Sequence, residues 1–274
     1  MRNLFRRELL RLGLIALAYM AYVEVSQGQE PKAELPEAPV ATSAAEPNSA
    51  GDIELSWKQL PKRIVQDQKD IWLFPTQLAR GRYWIPTLAV VGGTAGLIAA
   101  DPHAMPYFRT HAGNLDDFND AFDGPITNAE IAIVPVTLFL VGQIRHDTYA
   151  SKTGLQAGEA YADGYIVSLA IKAIARRKRP SEVAAGASFN DTFFNTGKSP
   201  FGSSFPSGHA IEAFSVATVV ALRYGRHRWV PWVAYGAATA ISLSRVSTRA
   251  HFPSDVFLGA ALGYSIARFE VLRH

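Results

Sequence analysis

The sequence predicts an all-α fold, a helical bundle of about six to seven helices with its functional centre at helix ends. Three observations predict it. From Trp57 onward, apolar stretches long enough for helices alternate with breaks that carry Gly or Pro. Period-two alternation of the kind a half-buried strand needs is scarce throughout. Hydrophobic residues make up 48% of the 274, enough for one sizeable core.

The elements follow in order. Arg2, Arg6, Arg7 and Arg11 precede an apolar run from Leu12 to Val23, followed by Ser26-Gln27-Gly28. This is the layout of a bacterial secretory signal cut near Gly28-Gln29, so residues 1–28 are read as a signal peptide. Glu24 and Gln27 make the cleavage site imperfect, and an uncleaved anchor is the alternative. Residues 29–56 are rich in Pro, Ala, Glu and Ser and are read as a disordered linker. Residues 57–274 form the helical domain.

Helices are expected near 57–71, 84–100, 128–145, 156–177, 209–224, 229–245 and 254–270. The first is amphipathic, with Lys58, Lys62, Arg63 and Lys69 among Trp57, Leu60, Ile64, Ile71 and Trp72. It is read as packing its apolar face on the bundle, with a place on a membrane surface as the alternative. Gly92, Gly93 and Gly96 follow no strand and form no dinucleotide fingerprint; they suit close helix packing. Asp116, Asp117, Asp120 and Asp123 lack the glycine and terminal glutamate of a calcium loop and are read as a solvated acidic loop.

A spanning helix wants about 20 largely apolar residues. The uncharged runs here, Ile85–Ala100, Ile131–Ile144 and Trp229–Ser244, are shorter. The helix with Lys172 holds Glu159 and Asp163, each costing roughly 2.5–3.5 kcal/mol in hydrocarbon on insertion scales. An export signal followed by three spans would also put Lys172 on the cytoplasmic side. The expectation is therefore an exported protein of the bacterial cell envelope, with a soluble or peripheral periplasmic bundle slightly favoured over an integral one.

Composition excludes some classes of function. Without cysteine there are no disulfides, thiolate metal sites or cysteine nucleophiles. A net charge of +3 with no basic stripe gives no nucleic-acid footprint. His103, His111, His146, His227 and His274 lack partners at metal-ligand spacing. No feature fixes the oligomeric state.

What remains is a constellation in three separated segments: Lys172…Arg179-Pro180, then Pro206-Ser207-Gly208-His209, then Ser244-Arg245…His251…Asp255. Arg179 and Arg245 each offer a planar fork of donors for an oxyanion, and Lys172 a compact point charge. Seven residues between Lys172 and Arg179 put both cations on one face if the helix continues that far. Ser207 and Gly208 sit where a loop enters a helix, and free backbone N–H groups there make an anion cradle. His209 stands at its mouth as a general acid. Asp255, four residues after His251, fixes the imidazole tautomer and leaves the other nitrogen to attack phosphorus. Alone, each segment has an ordinary reading: a solvated basic run, a turn before a helix, a surface hydrogen bond. Together, in order and correctly spaced, they point to phosphoryl transfer through a histidine.

These segments resemble the three signatures of the type 2 phosphatidic acid phosphatase / vanadium haloperoxidase superfamily, K-x6-R-P, P-S-G-H and S-R-x5-H-x3-D, at every fixed position. The resemblance implies His251 as nucleophile, His209 as acid and Asp255 as the group orienting His251. It implies phosphate binding by Lys172, Arg179, Ser207, Gly208 and Arg245. It also implies catalysis without a metal or cofactor in the phosphatases, and vanadate in the same cradle in the haloperoxidases. The expected function is an exported phosphatase acting on phosphomonoesters or on lipid phosphates and pyrophosphates through a phosphohistidine. A vanadium haloperoxidase, a phosphotransferase and a non-catalytic binder of phospholipids are the alternatives. Selectivity is expected to lie in Ser181–Phe205, with Phe189, Phe193, Phe194, Phe201 and Phe205, and in Asp101–Asp123.

Overall fold

The structure, a computed structural model, describes residues 56–122, 127–195, 197 and 199–273. The expected signal peptide and, apart from Ser56, the expected linker lie outside the described residues. The elements are α1 (Leu60–Trp72), α2 (Phe74–Ala79), α3 (Trp84–His111), α4 (Asp116–Phe122), α5 (Thr127–Ile144), α6 (Thr148–Ala175), α7 (Gly208–Arg223), α8 (Trp229–Ser247) and α9 (Pro253–Ser265). Short 3-10 or π turns link or follow them, and there is no strand among the described residues.

Each of the seven expected helices is present, and α2 and α4 are additions. The acidic run is a correction: Asp116 and Asp117 open α4 rather than lying in a loop. Two carboxylates in a first turn favour that outcome, because they face the positive end of the helix dipole. α3 runs eleven residues past its expected end, through Pro102 and Pro106. Contacts made by this extension hold it: Asp101 is ion-paired inside the protein, and Met105 packs with Phe189 and Phe252. α6 begins eight residues early because Asp147 caps it, accepting the Ala150 N–H at 3.0 Å.

The core gathers around α6 and α7, where Val167 and Ile211 meet Ile131 of α5, Ala238 of α8 and the C-terminal Ile266 and Val271. Small residues set how closely α7 and α9 approach. A Cβ on Gly259 would lie 2.7 Å from the Ser207 carbonyl oxygen, and one on Gly263 would collide with the Ile211 backbone. This contact ties the start of α7 to the middle and end of α9.

α1 docks on α6 as expected, but through a mixed face. Ile71 reaches the core, while Arg63 pairs with Glu159 at 2.6 Å and Gln68 donates to Asp163 at 2.9 Å. These contacts account for the two acidic residues inside α6. Lys58, Lys62, Val65, Lys69 and Trp72 remain outward.

Two stretches, Trp84–His111 and Gly113–Ile144, are long and apolar enough to cross a membrane; the second runs through residues outside the described set. Little of either is buried, and Ile85 and Ile144 are 85% and 77% exposed. Core helices of a water-soluble bundle bury such residues. The expectation of a soluble periplasmic bundle finds no support here.

Candidate active site

The first cations come from the end of α6. Lys172 lies in its last turn, and the helix stops at Ala175, where Arg176 turns left-handed (φ 43°, ψ 41°) and its N–H returns to the Lys172 carbonyl at 3.1 Å. Arg179 follows in extended backbone (φ −76°, ψ 151°), the conformation a following proline imposes. The helix therefore does not carry both cations on one face; a loop brings Arg179 back to Lys172 instead.

The second segment enters α7. Ser207 caps it, its Oγ accepting the Ala210 N–H at 3.4 Å, and its own N–H donates to the Asp255 carbonyl at 3.0 Å. Gly208 is the first helical residue. A Cβ there would sit 3.1 Å from Ser168 Oγ and 3.2 Å from Lys172 Nζ, so the absence of a side chain is what lets the ammonium lie against the helix start. The unpaired N–H groups of this 16-residue helix begin at the same place.

The third segment spans the end of α8 and the start of α9. Arg245 Nη1 lies 3.2 Å from His209 Nε2. His251 is buried, and its Nδ1 lies 2.6 Å from the Ser204 carbonyl oxygen but 3.7 Å from Asp255 Oδ2. A backbone carbonyl can only accept, so Nδ1 carries the proton and Nε2 holds the lone pair. The group expected to fix this tautomer was Asp255; at hydrogen-bonding distance the group present is the Ser204 carbonyl. Asp255 itself accepts from the Phe252 N–H at 2.8 Å, from the Ser204 hydroxyl and from Arg177 Nη1 at 2.6 Å.

Arg177 is the residue that sequence reasoning missed. It is 1% exposed. Its fork donates to Asp255, to Asp101 Oδ2 at 2.7 Å and to Ser254 Oγ at 2.7 Å, and its Nε donates to Thr192 at 3.1 Å. The guanidinium lies 3.7 Å from the ring centre of Phe252 and 4.4 Å from that of Phe193. Within Arg176-Arg177-Lys178-Arg179 no spacing marks Arg177 out, whereas Arg179 is flagged by Pro180.

The two segments expected to shape selectivity divide. Asp101, Phe189 and Phe193 belong to this buried support, and Phe205 packs against Phe193. Phe194 and Phe201 point outward, 71% and 61% exposed.

All eight expected residues converge on one place, and their electrostatics are strongly coupled. Burial, then Arg179, depresses the Lys172 ammonium. Burial first, then His251, Lys172 and Arg179, push His209 down to about 3. Burial also lowers His251, with Asp255 opposing it. Burial alone would raise Asp255, yet His251, Arg177 and Ser204 hold it below the usual carboxylate range. Both imidazoles are thus neutral at neutral pH, set among Lys172, Arg179 and Arg245. Burial is the larger cause for both imidazoles and the neighbouring cations the lesser one; a tetrahedral dianion offsets the cations' share.

Comparison with known proteins fits this geometry. Residues 153–273 match the PAP2 superfamily, a span that contains all eight site residues. The lipid A 1-phosphatase of Porphyromonas gingivalis is 37% identical over 90 residues, covering 29% of this chain and 20% of that protein. The decaprenylphosphoryl-5-phosphoribose phosphatase of Mycobacterium tuberculosis is 31% identical over 112 residues, covering 41% of this chain and 56% of that protein. The chain thus spans about a fifth and just over half of the lengths of these relatives. A transmembrane PAP2 type phosphatidylglycerolphosphate phosphatase from Bacillus subtilis aligns over 76% of this chain and 94% of its own, with 20% identity and a TM-score of 0.41.

Proposed function

We propose that this chain, whose residues 153–273 match the PAP2 superfamily, is a membrane-associated phosphoric ester hydrolase of the cell envelope acting on lipid phosphates. The observation that carries the reading is His251, whose Nδ1 is engaged by the Ser204 carbonyl so that Nε2 offers a lone pair among Lys172, Arg179 and Arg245. The two curated relatives, both phosphatases by name, support the reaction class. The exposed apolar faces of α3 and α5 support the membrane association.

The mechanism follows from the geometry. The three cations and the first N–H groups of α7 bind the phosphoryl oxygens, whose charge spreads further as the ester bond breaks. His251 Nε2 attacks phosphorus, and the bond to the leaving oxygen breaks with its electron pair. His209 gives that oxygen a proton, leaving a phosphohistidine. Water then attacks phosphorus, His209 takes its proton, and the N–P bond returns its pair to His251. In the free site burial and, after it, the neighbouring charges keep His209 neutral, so its proton enters with the substrate, whose negative charge offsets the cations' share. Export of the domain and catalysis without a metal are parts of the same proposal.

The test is turnover of a long-chain lipid phosphate against a soluble aryl phosphate by the full chain and by His251→Ala. Hydrolysis of the lipid substrate, resistant to chelators and lost in a folded His251→Ala, is expected. Wild-type rates in that variant would overturn the nucleophile. Peroxide-dependent bromination on adding vanadate, or transfer to added alcohols faster than hydrolysis, would replace hydrolysis with the corresponding alternative.

A further inference from the structure

One turn beyond Gly208, α7 carries a carboxyl that the mechanism above leaves without a role. Glu212 is 2% exposed, and its Oε2 has no hydrogen-bond partner. Its Oε1 lies 3.6 Å from the point a Cβ on Gly208 would occupy, and Lys172 Nζ lies 3.2 Å from that same point. Carboxyl and ammonium therefore border one small volume at the start of α7, on the floor of the oxyanion cradle. Lys172 has two acidic neighbours, Glu212 and Asp255. Asp255 is committed to Arg177, Ser204 and the Phe252 N–H. Glu212 is the acid with an oxygen to spare.

Resting on the phosphatase reading, we propose that Glu212 is a positioning residue for Lys172. Its carboxylate balances the ammonium while the cradle is empty, and it takes up a proton from solvent when a tetrahedral dianion replaces it as the lysine's partner. The exchange offsets one of the two charges the dianion brings to Lys172: one carboxylate becomes a carboxylic acid as the oxyanion arrives. The consequence is specific. Oxyanion affinity falls as pH rises, because binding must then protonate a more firmly ionised acid.

The groups that bear on Glu212 are few. Lys172 and Tyr161 face it from α6, and Tyr165 bears on Tyr161 in turn. His209 precedes it on α7 beside Arg245 of α8, while Arg179 and Asp255 of α9 act on Lys172. Burial, opposed by Lys172 and Tyr161, holds Glu212 up at about 7, where proton uptake is easily reached.

Tungstate, a tetrahedral dianion with no titrating proton near neutrality, is the probe. Its binding to the full chain is measured calorimetrically in buffers of different ionisation enthalpy, which counts protons taken up. Wild type is expected to gain about half a proton per tungstate at pH 7 through Glu212, since a group titrating at about 7 is half ionised there. Glu212→Gln should lose that half proton, keep only the uptake that belongs to His209, and show a shallower pH dependence of tungstate affinity. Tyr161→Phe removes a neighbouring hydroxyl that favours ionisation of Glu212, so its uptake should fall at pH 7 and reappear at higher pH. Equal uptake in wild type and Glu212→Gln, or an unshifted profile in Tyr161→Phe, overturns the proposal. Failure of wild type to bind tungstate sinks the phosphatase reading itself, and this inference with it.

Discussion

Arg177 Nη1 lies 2.6 Å from Asp255 Oδ1, and the same guanidinium reaches Asp101 Oδ2 at 2.7 Å. One buried arginine thus joins the second half of α3 to the first turn of α9 and holds the carboxylate next to His251. Neither acid carries any predicted phosphate contact; both are held by the same guanidinium. The hydrogen bonds of both carboxylates are thus directed into the protein's own support, and Asp255 acts on Lys172 through its charge rather than by contact.

Removing Arg177 should cost stability before it costs chemistry. Arg177→Met leaves two buried carboxylates without their shared cation, a loss of about 3–5 kcal/mol for a broken buried pair. Arg177→Lys should not rescue it, since one ammonium cannot replace a fork that serves Asp101, Ser254 and Asp255 while stacking on Phe252 and Phe193. Thermal unfolding of both variants in detergent checks this; a lysine variant as stable as wild type would contradict it.

Close packing of α7 on α9 gives a second expectation. Gly263→Ala places a methyl group into the Ile211 backbone and should destabilise by about 1–3 kcal/mol. Gly92→Ala, on α3 where a Cβ meets nothing within 4 Å, is the control and should cost nothing or stabilise slightly. Melting curves of the pair decide it, and equal shifts would place the fault in general helix effects rather than in this contact.

Why the fold was legible and part of the site was not follows from what each depends on. The seven long helices follow from apolar runs and breaks that any chain must satisfy locally. The eight signature residues are recognisable because their types and spacings survive in linear order. Arg177 differs from Arg176 and Lys178 through Asp101, Thr192, Ser254 and Asp255, and Asp101 lies 76 positions away. The Ser204 carbonyl leaves no trace in residue type at all, since every residue has one. The extension of α3 across two prolines was hidden for the same reason: its support is tertiary.

Stability should respond to acid through the histidines, and the sign can be worked out. His209 binds its proton at 6.5 when unfolded and at about 3 in the folded protein, so the unfolded chain holds more protons between those values. Stability from this group is complete above about 6.5 and is lost as pH falls toward 3. Asp255, whose folded value is depressed, adds a loss at the acid end of the same range. Denaturation midpoints measured from pH 7 down to 4 should fall in wild type and fall less in His209→Gln. Bound tungstate should also reduce the slope, because its charge lets His209 keep a proton in the folded state. A His209→Gln profile parallel to wild type would show that the histidine is not expelling its proton.

The last expectation separates the two groups beside His251. In a Ser-His-Asp triad, changing the aspartate to asparagine lowers kcat by about 10⁴-fold because the imidazole takes the wrong tautomer. Here the Ser204 carbonyl, at 2.6 Å, fixes the tautomer, and Asp255 stands 3.7 Å away with its oxygens engaged by Arg177, Ser204 and the Phe252 N–H. Asp255→Asn should therefore lower kcat far less than in such a triad, by less than about 10²-fold, since what it loses is charge stabilisation of His251 and not its orientation. Its larger effect should be on folding, because Arg177 and Ser204 lose an acceptor oxygen and a buried charge goes unpaired. Measuring kcat and the unfolding midpoint on the same preparation makes the comparison. A loss of 10⁴-fold or more in a variant as stable as wild type would return the orienting role to Asp255 and take it from the Ser204 carbonyl.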